Sequence, residues 1–225
     1  MIRAVVFYVG ETLIDETRHW GEWADWLGVP RLTFFAVLGA TIERGEHHRA
    51  VFDHFRSGFD IDAETQARQA AGWTYGFEPE DFYPDAEPCL RRLRVAGYRI
   101  GVAGNQPREA EAALRAAGVA ADFIASSASW GVEKPSAAFF DRVAEAAGIQ
   151  PGQIAYVGDR LDNDVLPALH AGMTAILIRR GPWGYIRSAS PTDGRPSAVI
   201  RSLDALPEAL AAAVAEAGRV RTDGG

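Results

Sequence analysis

Cysteine is almost absent from this chain: Cys89 is the single one in 225 residues. It can close no internal disulfide and has no second thiol with which to build a zinc site, so a disulfide-stapled fold is excluded and a cytoplasmic setting fits. Long apolar runs are also missing. None approaches the roughly 18 residues of a membrane span, and Met1 leads straight into Val5-Val6-Phe7 without a signal-peptide layout, so no membrane partner is expected. Nor is there an excess of positive charge. A formal net charge of −7 argues against a nucleic-acid surface, which needs clustered cations to displace counterions. What remains is a chain with 48% hydrophobic residues, enough for a sizeable core, with small ligands as the expected partners. Oligomeric state is not legible.

The hydrophobic pattern divides the chain. Residues 2–9 form a short β-branched run ending at Gly10, the pattern of a buried strand and a tight turn. From 16 to 82 the spacing becomes helical, with Trp20, Trp23 and Leu27 on one face and Phe34, Leu38 and Ile42 on another. Gly45, Gly58, Gly72, Pro30 and Pro79 punctuate it into three or four helices. After Tyr83-Pro84 helices and strands alternate: helices near 86–96, 107–117, 137–147 and 165–171, and strands near 99–103, 122–125, 154–158 and 174–178. An edge strand at 198–200, a helix near 206–217 and a frayed polar tail at 221–225 complete the reading. Such alternation predicts an α/β fold with a doubly wound parallel sheet, whose ligands gather at the carboxyl ends of the strands. The expected division is a core of residues 1–15 and 83–225 with an inserted helical domain at 16–82.

Unusual polar residues fall at those carboxyl ends: Tyr8 and Thr12, Asn105, Lys134, and Asp159 with Asp164. The order and spacing of Phe7-Tyr8-Val9-Gly10-Glu11-Thr12-Leu13, Gly104-Asn105, Glu133-Lys134-Pro135 and Val157-Gly158-Asp159-Arg160-Leu161-Asp162-Asn163-Asp164 resemble the four motifs of the haloacid dehalogenase (HAD) superfamily of hydrolases. The resemblance spans the whole chain. It implies a Rossmann-like core with a helical cap that closes over the pocket, and a small phosphorylated metabolite as substrate. In the family's phosphatases an aspartate attacks phosphorus, and magnesium screens the repulsion. By position, Asp159 and Asp164 would hold the magnesium, Lys134 would stabilise charge, and Thr12, Asn105 and Lys134 would bind the phosphoryl oxygens.

Three positions depart from that pattern. Tyr8 stands at the nucleophile position, Gly10 replaces an acid/base aspartate, and Gly104 replaces a hydroxyl residue. A phenol titrating near pH 10 is a poor nucleophile and a poor magnesium ligand at neutral pH. The expectation is therefore a phosphomonoester-directed hydrolase whose chemistry is abolished or strongly impaired, with magnesium binding weakened. A pseudoenzyme that binds a metabolite or a protein partner, and an active enzyme using Tyr8, are the alternatives. Tyrosine and aspartate codons differ by one base, which leaves open a single late change on a competent scaffold. Glu11 is either a nearby acid or solvent-facing.

Other features have plainer readings. Asp159, Asp162 and Asp164 also suit the N-terminus of the following helix. His47, His48 and His54 lie among Glu43, Glu46 and Asp53, which reads as a solvated charged face rather than a metal site. Trp20, Trp23 and Trp26 read as packing within the helical insertion or between it and the core, rather than as a ligand cage. Pro182-Trp183-Gly184-Tyr185 reads as an aromatic loop after a strand, placed where a loop can touch substrate.

Overall fold

A computed structural model describes residues 1–187 and 195–222 and separates the chain into two compact units, Met1–Asp15 with Phe77–Gly225, and Glu16–Gly76. The first unit is built on six parallel strands: β1 (Ala4–Phe7), β2 (Arg99–Gly104), β3 (Phe123–Ser126), β4 (Ile154–Gly158), β5 (Thr174–Ile178) and β6 (Ala198–Ile200), in the order β3-β2-β1-β4-β5-β6. β1 pairs with β2 on one side and β4 on the other, with Phe7 opposite both Val102 and Val157. The strand order turns at that point, so the carboxyl ends of β1, β2 and β4 open onto one crevice.

Side chains of β1 alternate between the two faces of the sheet. Val5 and Phe7 join Val102, Val157 and Ile176 under Leu90 and Leu93 of α4 (Ala86–Val95), while Ala4 and Val6 join Tyr156 and Leu177 under Phe139, Phe140 and Val143 of α7 (Ala137–Ala147). A run of apolar residues with no polar alternation is what a strand buried on both faces requires. α5 (Glu109–Ala116) and α8 (Leu166–His170) complete the crossovers, and α10 (Leu206–Thr222) follows β6.

Three local readings are corrected. A helix of four residues, α6 (Ser127–Trp130), sits where no helix was expected; Ser126 caps it by accepting from Ser129 N–H. The aromatic loop is instead a short helix, α9 (Gly181–Ile186), because Pro182 fits the first turn of a helix and Trp183 turns inward to 8% exposure. Helix α10 runs to Thr222 rather than ending near 217, and most of the expected frayed tail, residues 223–225, lies outside those described.

The second unit contains α1 (Thr17–Leu27), α2 (Arg31–Glu43), a 3₁₀ helix at His48–His54 and α3 (Ile61–Ala70). Its core is aromatic: Trp20, Trp23, Phe34 and Phe52 are buried, and Phe52 stacks on Phe59 at 4.5 Å. The Arg68 guanidinium is held between Trp23 and Trp73, 4.1 and 4.2 Å from their centroids, and donates to Glu22 at 3.2 Å. Trp26 is partly exposed and donates to Glu64 at 2.7 Å. His54 faces Arg44 at 3.0 Å and His48 meets the edge of Trp20. Among the described residues no three His, Cys, Asp or Glu side chains converge as metal ligands. Residues 77–82, which helical spacing grouped with this insertion, pack with the sheet unit: Ile14 bridges Phe82, and Asp15 N–H donates to Asp81 O at 2.7 Å.

Candidate active site

Tyr8 is the first residue beyond β1 and extends its ladder, donating from N–H to Val157 O at 2.9 Å. The chain then folds tightly, with Leu13 and Ile14 N–H both reaching Val9 O at 2.9 and 3.0 Å. Closing so short a loop places Glu11 at φ +50°, in the left-handed region. Glu11 is buried, not solvent-facing. Its carboxylate accepts from Tyr83 Oη at 2.5 Å and lies over Gly181, where a Cβ would come within 2.5 Å of Glu11 Cδ. Burial, with the Glu11 carboxylate beside it, pushes the Tyr83 phenol far above its ordinary value. Thr12 is fully buried, and its Oγ1 has no hydrogen-bond partner among the described residues.

Lys134 is the only lysine in the chain; the other 22 basic residues are arginine. Its side chain is fully buried. Nζ pairs with Asp164 Oδ1 and lies 3.5 Å from the centroid of the Tyr8 ring, with Tyr156 at 5.6 Å. Burial pushes this ammonium below the usual lysine range, and the carboxylates of Asp164 and Asp159 restore only part of the shift. Asn105 fixes the backbone on which Lys134 stands: Nδ2 donates to Lys134 O at 2.9 Å, and Oδ1 accepts from Lys134 N–H at 2.8 Å. Both ends of the amide are thus used in joining the β2 loop to the lysine segment.

Beyond β4, Asp159 is buried and Asp164 is fully so. Asp164 packs over Gly158, where a Cβ would come within 2.6 Å of its own, and its Oδ2 accepts from Arg160 N–H at 3.0 Å. Arg160 grips Asp162 at 2.8 and 3.2 Å and lies 5.5 Å from the Trp183 ring. Burial opposes ionisation of Asp162, but Arg160 outweighs it and holds the carboxyl below its ordinary value. Trp183 is buried against Arg160, while Tyr185 is exposed.

Lys134 is thus brought against both Tyr8 and Asp164, and Asn105 joins them through the lysine backbone. A further group was not found from the sequence. Arg180, just beyond β5, donates to Asp85 at 3.0 and 2.5 Å and to Thr12 O at 3.3 Å, and stacks on Tyr83 at 4.1 Å. Asp85 also accepts from Ser202 Oγ at 2.7 Å and Leu203 N–H at 2.8 Å. The available signal was the position of Arg180 at the end of a predicted strand; its partner is 95 residues away.

Magnesium asks for several hard oxygen ligands in near-octahedral array. Asp164 commits one oxygen to Lys134 and the other to a backbone N–H, and position 8 offers a phenol. Position 8 thus withdraws one of the carboxylates expected to hold the cation; Asp159, buried in the same loop as Asp164, is another. Two open pockets, of about 360 and 440 Å³, lie elsewhere: one among Glu22, Trp26, Arg68 and Trp73, the other among Met1, Arg3, Tyr98 and Arg99.

The family model for haloacid dehalogenase-like hydrolases matches residues 2–172. A glyceraldehyde 3-phosphate phosphatase of Methanopyrus kandleri is 34% identical over 148 residues, 63% of either chain. The haloacid dehalogenase-like hydrolase domain-containing protein 3 of Danio rerio is 28% identical over 137 residues, 60% of this chain and 55% of its own. The matched stretch thus spans less than two thirds of these relatives. Among solved structures, a HAD phosphatase from Thermococcus onnurineus superposes with a TM-score of 0.59 at 24% identity, covering 93% of this chain and 98% of its own. The Bacillus subtilis HAD hydrolase YfnB, described with magnesium bound, gives 0.67 at 18%, covering 91% and 96%. At such identities the structures speak for the fold alone.

Proposed function

Because the chain belongs to the haloacid dehalogenase-like hydrolases, we propose that its site is laid out for a small phosphomonoester and that the aspartyl-phosphate route is abolished or strongly impaired at Tyr8. The observation that carries this reading is the Tyr8 ring lying 3.5 Å from Lys134 Nζ, Tyr8 being the residue that the motif aligns with the family's nucleophile. A phenol is protonated at neutral pH, and removing an essential nucleophile lowers turnover by up to about a millionfold, roughly 8 kcal/mol of barrier. Relatives named as glyceraldehyde 3-phosphate phosphatases and enolase-phosphatases support the substrate class, as does retention of the Gly158-Asp159 and Asp164 motif. Glu16–Gly76 would serve as the cap.

A second reading has its own support. Lys134, Asp164 and Asn105 are all engaged internally, which disfavours turnover and leaves the alternative of a protein that binds a metabolite or a partner without reacting with it. An assay of phosphate monoesters, glyceraldehyde 3-phosphate included, with magnesium separates the two. The first reading expects background activity from the natural protein, a large gain in Tyr8→Asp, and loss again in Tyr8→Asp/Asp159→Asn. Robust turnover by the natural protein that disappears in Tyr8→Phe would overturn it.

A further inference from the structure

The backbone at 104 does not itself require glycine. Its φ lies outside the left-handed region, unlike that of Gly181 at +64°, so an L side chain is compatible with the strand. A single neighbour forbids one. The three heavy atoms nearest to a Cβ at 104 are Cδ2, Cε2 and Cγ of Tyr8, with Cε2 at 2.6 Å and Cγ at 3.7 Å. These are ring atoms at the base and middle of the side chain, and the same ring covers Nζ of Lys134. The cation beneath it is a lysine in a chain that uses arginine at every other basic position. A guanidinium is planar and broader, whereas an ammonium is a compact charge that can sit under a ring while one carboxylate neutralises it.

We infer that Tyr8 and Gly104 form one packing unit that seals the chain's only lysine: glycine at 104 leaves the volume the ring needs, and the ring takes the place above Lys134 where an anionic ligand group would dock. The packing half stands on geometry; the docking half rests on the phosphomonoester reading above. Two of the three departures from the family pattern then meet in one contact. Tyr8 is in this sense a specificity-determining residue, since it decides whether an anion can reach Lys134.

The test is a cycle of four proteins: natural, Gly104→Ala, Tyr8→Ala and the double variant. Thermal unfolding should show Gly104→Ala lowering Tm by roughly 3–10 °C when Tyr8 is present, and by less than about 3 °C in the Tyr8→Ala background. Failure to fold only when Tyr8 is present supports the unit equally. Equal losses, or failure to fold in both backgrounds, would overturn it. Because Lys134 is the sole lysine, acetylation by an N-hydroxysuccinimide ester can be followed at one site by mass spectrometry, with the N-terminal amine as internal reference. Tyr8→Ala should label Lys134 at least about tenfold faster than the natural protein; equal rates would end the sealing claim. Neither readout involves turnover, so the packing unit and the phosphomonoester reading can fail separately.

Discussion

The loops after β1 and β4 leave neighbouring strands of one sheet and face one crevice, yet they make room for their side chains in opposite ways. After β4, Asp164 packs over Gly158, six residues earlier in the same segment. After β1, Tyr8 packs against Gly104 on β2, and Glu11 against Gly181 beyond β5. The β4 loop carries its own space, so it works as a unit wherever its sequence is kept. The β1 loop depends on glycines roughly 100 and 170 residues away, so larger groups there are tolerated only if distant positions change with them.

The largest expected effect concerns the bond between Lys134, which the Tyr8 ring of the β1 loop covers, and Asp164 of the β4 loop. Lys134→Met strands Asp164 as a buried charge, and urea unfolding should show a loss of about 3–5 kcal/mol, most of it recovered in Lys134→Met/Asp164→Leu. A loss below about 1 kcal/mol would mean that the pair does not anchor the β4 loop to the lysine segment. Next comes Gly158→Ala, expected to cost about 1–3 kcal/mol by overpacking. If the β4 loop is self-contained, the same cost, within about 0.5 kcal/mol, should be measured in a Tyr8→Ala background; strong coupling would erase the contrast. Gly181→Ala should cost about 1–2 kcal/mol through its positive φ, plus an increment from crowding Glu11 that disappears in Glu11→Ala. An unchanged cost would show that the carboxylate moves aside freely.

The smallest effect is a slope. Burial opposes ionisation of Asp85, but hydrogen bonds from Arg180, Ser202 and Leu203 N–H outweigh it, so its folded pKa lies below the ordinary carboxylate value. A depressed pKa contributes stability above the unfolded value near 3.9 and loses it as pH falls through the folded one. Natural protein should therefore lose stability more steeply than Asp85→Asn between about pH 4 and pH 2. Parallel acid-unfolding curves would remove Asp85 and Arg180 from the set of groups that steady the β1 loop.

Legibility followed the distance over which each interaction acts. The strands, the parallel alternation and the placement of Tyr8, Asn105 and Asp159 at strand ends could be read because apolar runs and turn residues are local in sequence, whereas Lys134 stands beyond a helix that follows β3. Trp183 was harder: its surroundings read as a loop until Pro182 opened a helical turn and Arg160 gave the indole a partner. Arg180 with Asp85 was not legible at all, since neither residue has a local signature and they meet only across the folded sheet.

The sequence by itself determined the family, the sheet and the departure at Tyr8, because strand periodicity and motif spacing are properties of short segments. Only the tertiary structure decided what Tyr8 does there. A phenol on paper is a missing carboxylate; folded, its ring fills the volume left by Gly104 and covers the one lysine of the chain, because side chains far apart in sequence must share a single close-packed space.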